Sequence, residues 1–260
     1  NGSFDGIQRI LFGNGFDRSW LHKLLFIDSL HYLSNGKLSL PLKRYIQIDI
    51  DDIFVGERGT RMKQADVDAL VEFQQRLQLF MPGFRFNVGF SGKYFHRGFD
   101  VENQGDDQMI RMARHFRWFC HTYSHSQAHI TTNQTAIENE LIANQGFARN
   151  NNLPVDNDYI VSPHHSGVYP VHEPLYDAWK NVWKVRVTST EEYPHLRPSY
   201  LRHGFIHKGI MVLPRQTCGL YTHTIFIDRY PGGRDKLEKS IFGGDLFYSF
   251  IFNQVNVFMT

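Results

Sequence analysis

The sequence predicts an α/β fold built on a mostly parallel sheet, and three observations lead there. Segments of two-residue hydrophobic alternation take turns along the chain with segments of helical spacing. No internal repeat or low-complexity tract interrupts that order. The chain, 260 residues with 42% hydrophobic content, is long enough to bury one large core. Strand and helix in alternation suit a barrel or an open sheet equally, and in both architectures ligands gather at the C-terminal ends of the strands.

The first strand is expected over Arg44 to Ile50, where Tyr45, Gln47 and Asp49 fall on one side and Ile46, Ile48 and Ile50 on the other. It runs into Asp51-Asp52. Between Asp66 and Phe80, Val67, Leu70, Val71 and Leu77 recur at helical spacing, with Asp66 placed to cap the first turn. Phe84, Phe86, Val88 and Phe90 mark a second strand, and Gly105-Asp106-Asp107 reads as the start of a helix near Met109 to Phe116. Further on, helices are expected at Ala136 to Phe147 and Leu175 to Trp183, and strands at Tyr159 to Val161 and Ile210 to Leu213. The last segment, Val255 to Met259, is a largely apolar strand with no stop signal, as though a domain continues past it. Residues 1–40 read as an N-terminal connecting segment and 41–260 as a domain incomplete at its C-terminus.

Twenty-eight basic against 26 acidic residues leave a formal charge of +2, without the basic excess of a nucleic-acid binder. A polyanion would therefore need a local basic groove. No apolar run approaches the ~18 residues of a membrane span, and the N-terminus lacks a signal-peptide pattern, so no membrane contact is expected from this segment. The 22 Phe and 12 Tyr either fill the core or form stacking walls for sugar rings. Cys120 and Cys218 are too few for a disulfide framework. Asn133-Gln134-Thr135 and Asn1-Gly2-Ser3 are N-glycosylation acceptors in a secretory protein.

Two constellations carry chemistry. Asp49-Ile50-Asp51-Asp52 places three carboxylates within four residues at a strand end, costly by mutual repulsion without a cation, although an isolated motif of this kind also serves as a solvated acidic turn. His121-Thr122-Tyr123-Ser124-His125-Ser126-Gln127-Ala128-His129 spaces histidines at i, i+4 and i+8. On a helix or turn, the first two imidazoles reach one side and can share a metal. Two imidazoles and a carboxylate with open positions form a catalytic ligand set, so the two motifs together point to a metal-assisted hydrolase. Glu191-Glu192 resembles a glycosidase acid only in composition, and a surface or supporting role suits it better. Arg197, Arg202 and Arg215 are either solvated charges or the lining of a groove for carboxylates and sulfates.

An Asp-Asp pair after a strand, followed by His-Thr-Tyr-Ser-His, resembles the polysaccharide deacetylases. The strings DIDDIFVGERGTRMK (Asp49 to Lys63), SPHHSGVYPVH (Ser162 to His172), VTSTEEYPHLRP (Val187 to Pro198) and GIMVLPRQTCGL (Gly209 to Leu220) are similar to the deacetylase region of heparan sulfate N-deacetylase/N-sulfotransferases. The resemblance implies an irregular (β/α) barrel of the polysaccharide deacetylase type, truncated at the C-terminus. It implies a substrate, heparan sulfate or heparosan, from which N-acetyl groups are removed before N-sulfation. It makes Asp51 the general base and Asp52, His121 and His125 the ligands of one divalent cation, zinc by preference, with His129 in reserve. His164, His165 and Arg215 are implied at the oxyanion or substrate, with the His165 backbone N–H as oxyanion donor. The general acid is expected as a histidine just past Thr260, and a Cys120–Cys218 disulfide is an open pairing. The implied setting is the Golgi lumen, within a type II membrane protein that carries an N-sulfotransferase, glycosylated at Asn133. A glycosaminoglycan-binding module without activity and a deacetylase of a neutral polymer such as chitin are the alternatives.

Overall fold

A computed structural model describes residues 5–13, 15, 19–39, 43–191, 204–216 and 232–259. Strand β1 (Tyr45–Ile53) is followed by helix α2 (Gln64–Gln78), after an N-terminal helix α1 (Trp20–Leu33). Then come β2 (Asn87–Phe90), α3 (Asp100–Arg111), β3 (Arg117–Cys120), α4 (Gln134–Asn150), β4 (Val155–Ile160), α5 (Glu173–Val182) and β5 (Val187–Thr190). The chain closes with β6 (Phe205–His207), β7 (Ile210–Gln216), α6 (Gly233–Ile241), α7 (Asp245–Phe252) and β8 (Val255–Met259).

The strands follow the order β5-β4-β3-β2-β1-β8-β7-β6, and β5 also pairs with β7. That extra pairing closes seven strands into a barrel and leaves β6 as an antiparallel flap on β7. Of the two architectures that the element order permits, the chain takes the barrel. β2 is buried throughout and β3 nearly so, as parallel strands covered on both faces must be.

Helix α2 buries Val67 and Val71 against Val88, Phe86 and Met109, and each such aliphatic side chain contributes about 1.5–3 kcal/mol. Asp66 sits in its first turn, where its carboxylate accepts the Lys63 N–H at 2.8 Å. Gln74 is buried on the same face and satisfied at both ends, donating to the His115 carbonyl (2.9 Å) and accepting the Phe86 N–H (2.8 Å). A second core gathers Leu141 of α4, Leu175, Tyr176 and Trp179 of α5, and Ile210 and Val212 of β7.

Helix α3 departs from expectation. It begins at Asp100, where Glu102 accepts the N–H groups of Phe99 (2.7 Å), Gly59 (2.8 Å) and Arg61 (2.8 Å). Gly105 is therefore no helix start. It lies mid-helix, where an added Cβ would stand 2.1 Å from the Met62 carbonyl oxygen, so glycine lets α3 rest directly on the chain entering α2.

The chain divides into two compact units, one of residues 1–45, 197–201 and 218–256, the other of 46–196, 202–217 and 257–260. In the first, the segment expected as a connection carries the 14-residue α1, capped by the Ser19 hydroxyl, and Lys23 of that helix reaches the Gly243 carbonyl and the Tyr248 ring. The catalytic candidates lie in the second unit. No helix among the described residues is long and apolar enough to cross a membrane.

Candidate active site and metal centre

Strand alternation carries Asp49 and Asp51 to one face of β1. Asp52 follows at φ 63°, in the left-handed region that aspartate tolerates better than most residues. That twist breaks the alternation and aims consecutive carboxylates at a common centre. Asp52 Oδ1 lies 2.8 Å from His125 Nε2 and 3.3 Å from His121 Nε2. Among the described residues, Asp52, His121 and His125 form the group whose ligand atoms all fall within 4.8 Å of one another.

The two histidines meet through a turn and not through a helix. β3 ends at Cys120, and the backbone then enters the left-handed region at Thr122 (φ 57°) and again at His125 (φ 54°), bringing the imidazole centroids to 5.2 Å. The loop is tied down along its length. Ser91 donates its hydroxyl to the His121 carbonyl (2.8 Å), Glu140 accepts the Ser124 N–H (2.7 Å) and hydroxyl (2.8 Å), and Tyr94 donates to the Ser124 carbonyl (3.0 Å).

The donor set fits a divalent cation. His121 Nδ1 lies 2.9 Å from the Val161 carbonyl, which can only accept, so the proton sits on Nδ1 and the Nε2 lone pair faces the Asp52 carboxylate. Two lone pairs at that distance repel unless a cation or a second proton lies between them. Burial opposes the charged forms, yet the imidazoles hold the Asp52 carboxyl far below the usual range, and Asp51 with Asp52 raises His121. Two imidazole nitrogens and one carboxylate oxygen are ligands that zinc and similar metals accept.

Beside this group, Arg215 from β7 donates through both terminal nitrogens to Asp51, to Oδ2 at 2.7 Å and Oδ1 at 2.6 Å, and also lies 3.2 Å from Asp49 Oδ2. Burial raises the Asp51 carboxyl, but Arg215 and His121 outweigh it and leave the pKa lowered, so Asp51 is ionised at neutral pH. Asp49 goes the other way: its complete burial lifts it against the pull of Arg215. Tyr159 donates to Asp49 (2.6 Å) and lies 2.7 Å from the Ser189 hydroxyl, while Gln47 (2.9 Å) and Asn87 (3.2 Å) donate to the other Asp49 oxygen.

A family description, the deacetylase domain of heparan sulfate N-deacetylase, matches residues 43–247. This chain belongs to the heparan sulfate N-deacetylase family. The N-terminal domain of the same family matches residues 1–33. The chain is 59% identical over 259 residues to a bifunctional heparan sulfate N-deacetylase/N-sulfotransferase of Drosophila melanogaster, covering 100% of this chain and 25% of that protein. It is 56% identical over 259 residues to the type 1 enzyme of Mus musculus, covering 100% of this chain and 29% of that protein. It thus spans between a quarter and a third of the length of these relatives. A mutant CE4 family pseudoenzyme with restored enzymatic activity superposes with a TM-score of 0.46 at 12% identity, over 84% of this chain and 57% of that one.

Within this family frame, the remaining expected residues divide. Arg215 neither lines a substrate groove nor meets solvent: it is fully buried and its fork is spent on Asp51 and Asp49. The His165 backbone N–H is unavailable as an oxyanion donor, since it already donates to the Ser162 carbonyl at 3.0 Å. The His165 imidazole lies instead 3.6 Å from the Glu191 carboxylate, which gives that glutamate a partner at the barrel mouth. His164, with φ 53°, packs its ring 4.9 Å from that of His125, and burial with the His125 charge lowers its pKa. His129 stands apart from the metal group, because its N–H donates to the Ser166 hydroxyl (3.0 Å) and its Nδ1 lies 2.5 Å from the same oxygen. Asn133 is the exposed N-cap of α4, its side chain accepting from the Thr135 N–H at 3.0 Å. Cys120 is a buried free thiol that accepts from Asn144 at 3.2 Å, whereas Cys218, Arg197 and Arg202 lie outside the described residues.

Sequence reading missed Tyr159, Ser189, Glu140 and Tyr94 as parts of the site. The one available signal was polar side chains inside strands, at Tyr159 of β4 and Ser189 of β5.

Proposed function

We propose that this chain is a metal-dependent amide hydrolase that removes N-acetyl groups from N-acetylglucosamine units of heparan sulfate or heparosan. The observation that carries the reading is the meeting of Asp52, His121 and His125 beside an arginine-held Asp51. Asp52, His121 and His125 would hold the cation, for which zinc is the first choice from the ligand types. A divalent cation bound there supplies a Lewis acid for the amide carbonyl and shifts the pKa of water toward ~7.

Asp51 is the base. Both its oxygens accept from Arg215, which fixes the carboxylate plane and keeps it charged while lowering its basicity. One lone pair on each oxygen stays available to take a proton from the attacking water. The nitrogen departs as an amine and needs a proton. By family resemblance we assign that acid to a histidine following Thr260, with His165 the residue in this chain to compare. We place the protein in the Golgi lumen, as part of a type II membrane protein glycosylated at Asn133 and acting on polysaccharide and not on nucleic acid.

The test is acetate release from heparosan and from chitin oligomers, with metal analysis of the same preparation, in a protein extended past Thr260. Metal-dependent release from heparosan well above that from chitin supports the reading. Tight heparosan binding without acetate release at saturating metal would replace it with a binding module, and equal release from both polymers would remove the substrate assignment.

A further inference from the structure

Past Asp52, the connection from β1 to α2 carries Arg58, and the connection from β2 to α3 carries His96 and Phe99. Together with Asp100 and Asn103 of α3, these residues line an open groove of about 560 Å³. Each wall offers a different recognition chemistry. Phe99 keeps 52% of its surface exposed, a large apolar ring left facing water. The Arg58 guanidinium lies 5.9 Å from the centroid of that ring and donates its Nε–H to the Arg97 carbonyl at 3.1 Å. No carboxylate pairs with it among the described residues, so its two terminal nitrogens remain for a ligand. Asn103 uses its carbonyl on the Gly98 N–H (3.0 Å), which leaves its NH2 as a donor.

Charge is mixed here. Asp100 is the groove's own carboxylate, and the His96 imidazole is held by Asp107 at 2.8 Å. Lys93 and Arg97 are exposed nearby and add two further positive charges on the same loop.

The groove is also anchored to the metal loop. Lys93 donates its backbone N–H to the Tyr123 carbonyl (3.1 Å), and Tyr94 donates to Ser124 (3.0 Å), both inside the His121–His125 turn. Arg61 ties the other two walls together, donating to the carbonyls of Phe54 (2.6 Å) and Tyr94 (3.0 Å) and pairing with Asp106 (3.0 Å), which accepts the His96 N–H at 2.8 Å. Groove and candidate metal centre therefore share one rim of the barrel, at the C-terminal ends of β1, β2 and β3.

We propose that this groove is a distal subsite for an anionic polysaccharide, seating a uronate-bearing unit some way along the chain from the acetamide that is cleaved. The proposal rests on the deacetylase reading above and adds to it the residues that select an acidic sugar. The sugar face stacks on Phe99, its carboxylate takes the Arg58 fork, and a hydroxyl accepts from Asn103. Arginine suits that carboxylate because its planar fork binds both oxygens and tolerates the aromatic ring at its face.

The experiment compares Arg58→Ala, Arg58→Lys, Phe99→Ala and Phe99→Tyr with the parent protein, metal-loaded and extended past Thr260. It measures affinity for long heparosan by titration, and kcat and KM on long heparosan, on a heparosan tetrasaccharide and on chitin oligomers. Arg58→Ala is expected to weaken heparosan binding about tenfold, the loss of one well-formed charged contact, with the change in KM and little in kcat. The KM effect should shrink on the tetrasaccharide and on uncharged chitin, and fade at high salt. Phe99→Tyr should restore what Phe99→Ala loses, and Arg58→Lys should recover only part, having charge without the fork. Unaltered heparosan affinity and KM in both alanine variants would overturn the subsite. If no preparation releases acetate, the deacetylase reading fails by itself, and the heparosan titrations still decide whether the groove binds the polymer.

Discussion

Replacing Arg215 with Met should be the most damaging single change inside the barrel, and the damage should depend on pH in a definite direction. Arg215 and Asp49 are both fully buried and the Asp51 side chain is 12% exposed, so removing the guanidinium leaves two carboxylates without their counter-charge. Breaking a buried pair in this way costs about 3–5 kcal/mol. The cost follows protonation. In the parent protein the lowered pKa of Asp51 contributes stability above its unfolded value and loses it as pH falls. Without Arg215, burial dominates both aspartates and raises their folded pKa values above about 3.9, the unfolded reference. A carboxyl raised in the folded state is at its most favourable below that unfolded value and loses stability as pH rises through the folded one. The penalty of Arg215→Met should therefore be small near pH 4, grow as the two folded carboxyls titrate, and be greatest at neutral pH. Urea unfolding of parent and variant, each measured at several pH values between 4 and 8, reads this directly. Arg215→Lys, which keeps a charge but offers one donor point in place of a fork, should lose roughly half as much at neutral pH. A penalty below about 1 kcal/mol at pH 7, or one equal at pH 4 and pH 7, would refute the claim that Arg215 acts by neutralising buried carboxylates.

Three further outcomes are expected. His121→Ala and His125→Ala should each abolish stoichiometric metal in elemental analysis, since either change leaves only two of the three gathered ligands; full metal content in both variants would show the cation to be held elsewhere. Asp51→Asn in the extended protein should keep metal and substrate affinity and lose turnover by roughly a hundredfold or more, and loss of the metal as well would move Asp51 among the ligands. Burial pushes the Cys120 thiol up to about 12, so a Cys218→Ser variant should resist an aromatic disulfide reagent at pH 8 until it is unfolded; prompt labelling of native protein would show the loop after β3 to be open.

Local pattern was enough for much of the fold. The alternation of Ile46, Ile48 and Ile50 marks β1 because successive side chains of a strand point to opposite faces, so an apolar face repeats every two residues, and Val67, Leu70 and Val71 mark α2 because its buried stripe needs a period near 3.6. The gathering of Asp52, His121 and His125 was legible for a related reason. Asp51-Asp52 and His121-to-His125 are short-range clusters whose chemistry is costly to keep without a cation, and a nine-residue window suffices to see each. β3 escaped notice because three consecutive buried residues after an exposed Arg117 show no period at all, and Gly105 misled because a glycine needed for close packing looks, in one dimension, like a helix boundary.

By itself, then, the sequence determined the α/β alternation of the chain, the candidate metal-ligand residue types and the family. Tertiary structure decided how distant segments close on one another. β5 pairs with β7 and skips β6, which makes a barrel of what could have stayed an open sheet. Arg215 meets Asp51 across 164 positions, which turned a residue that read as surface charge or groove lining into the buried counter-ion of that aspartate. Such pairings follow from which surfaces must leave water together and which buried charges must then be balanced, and neither condition can be read from a local window of sequence.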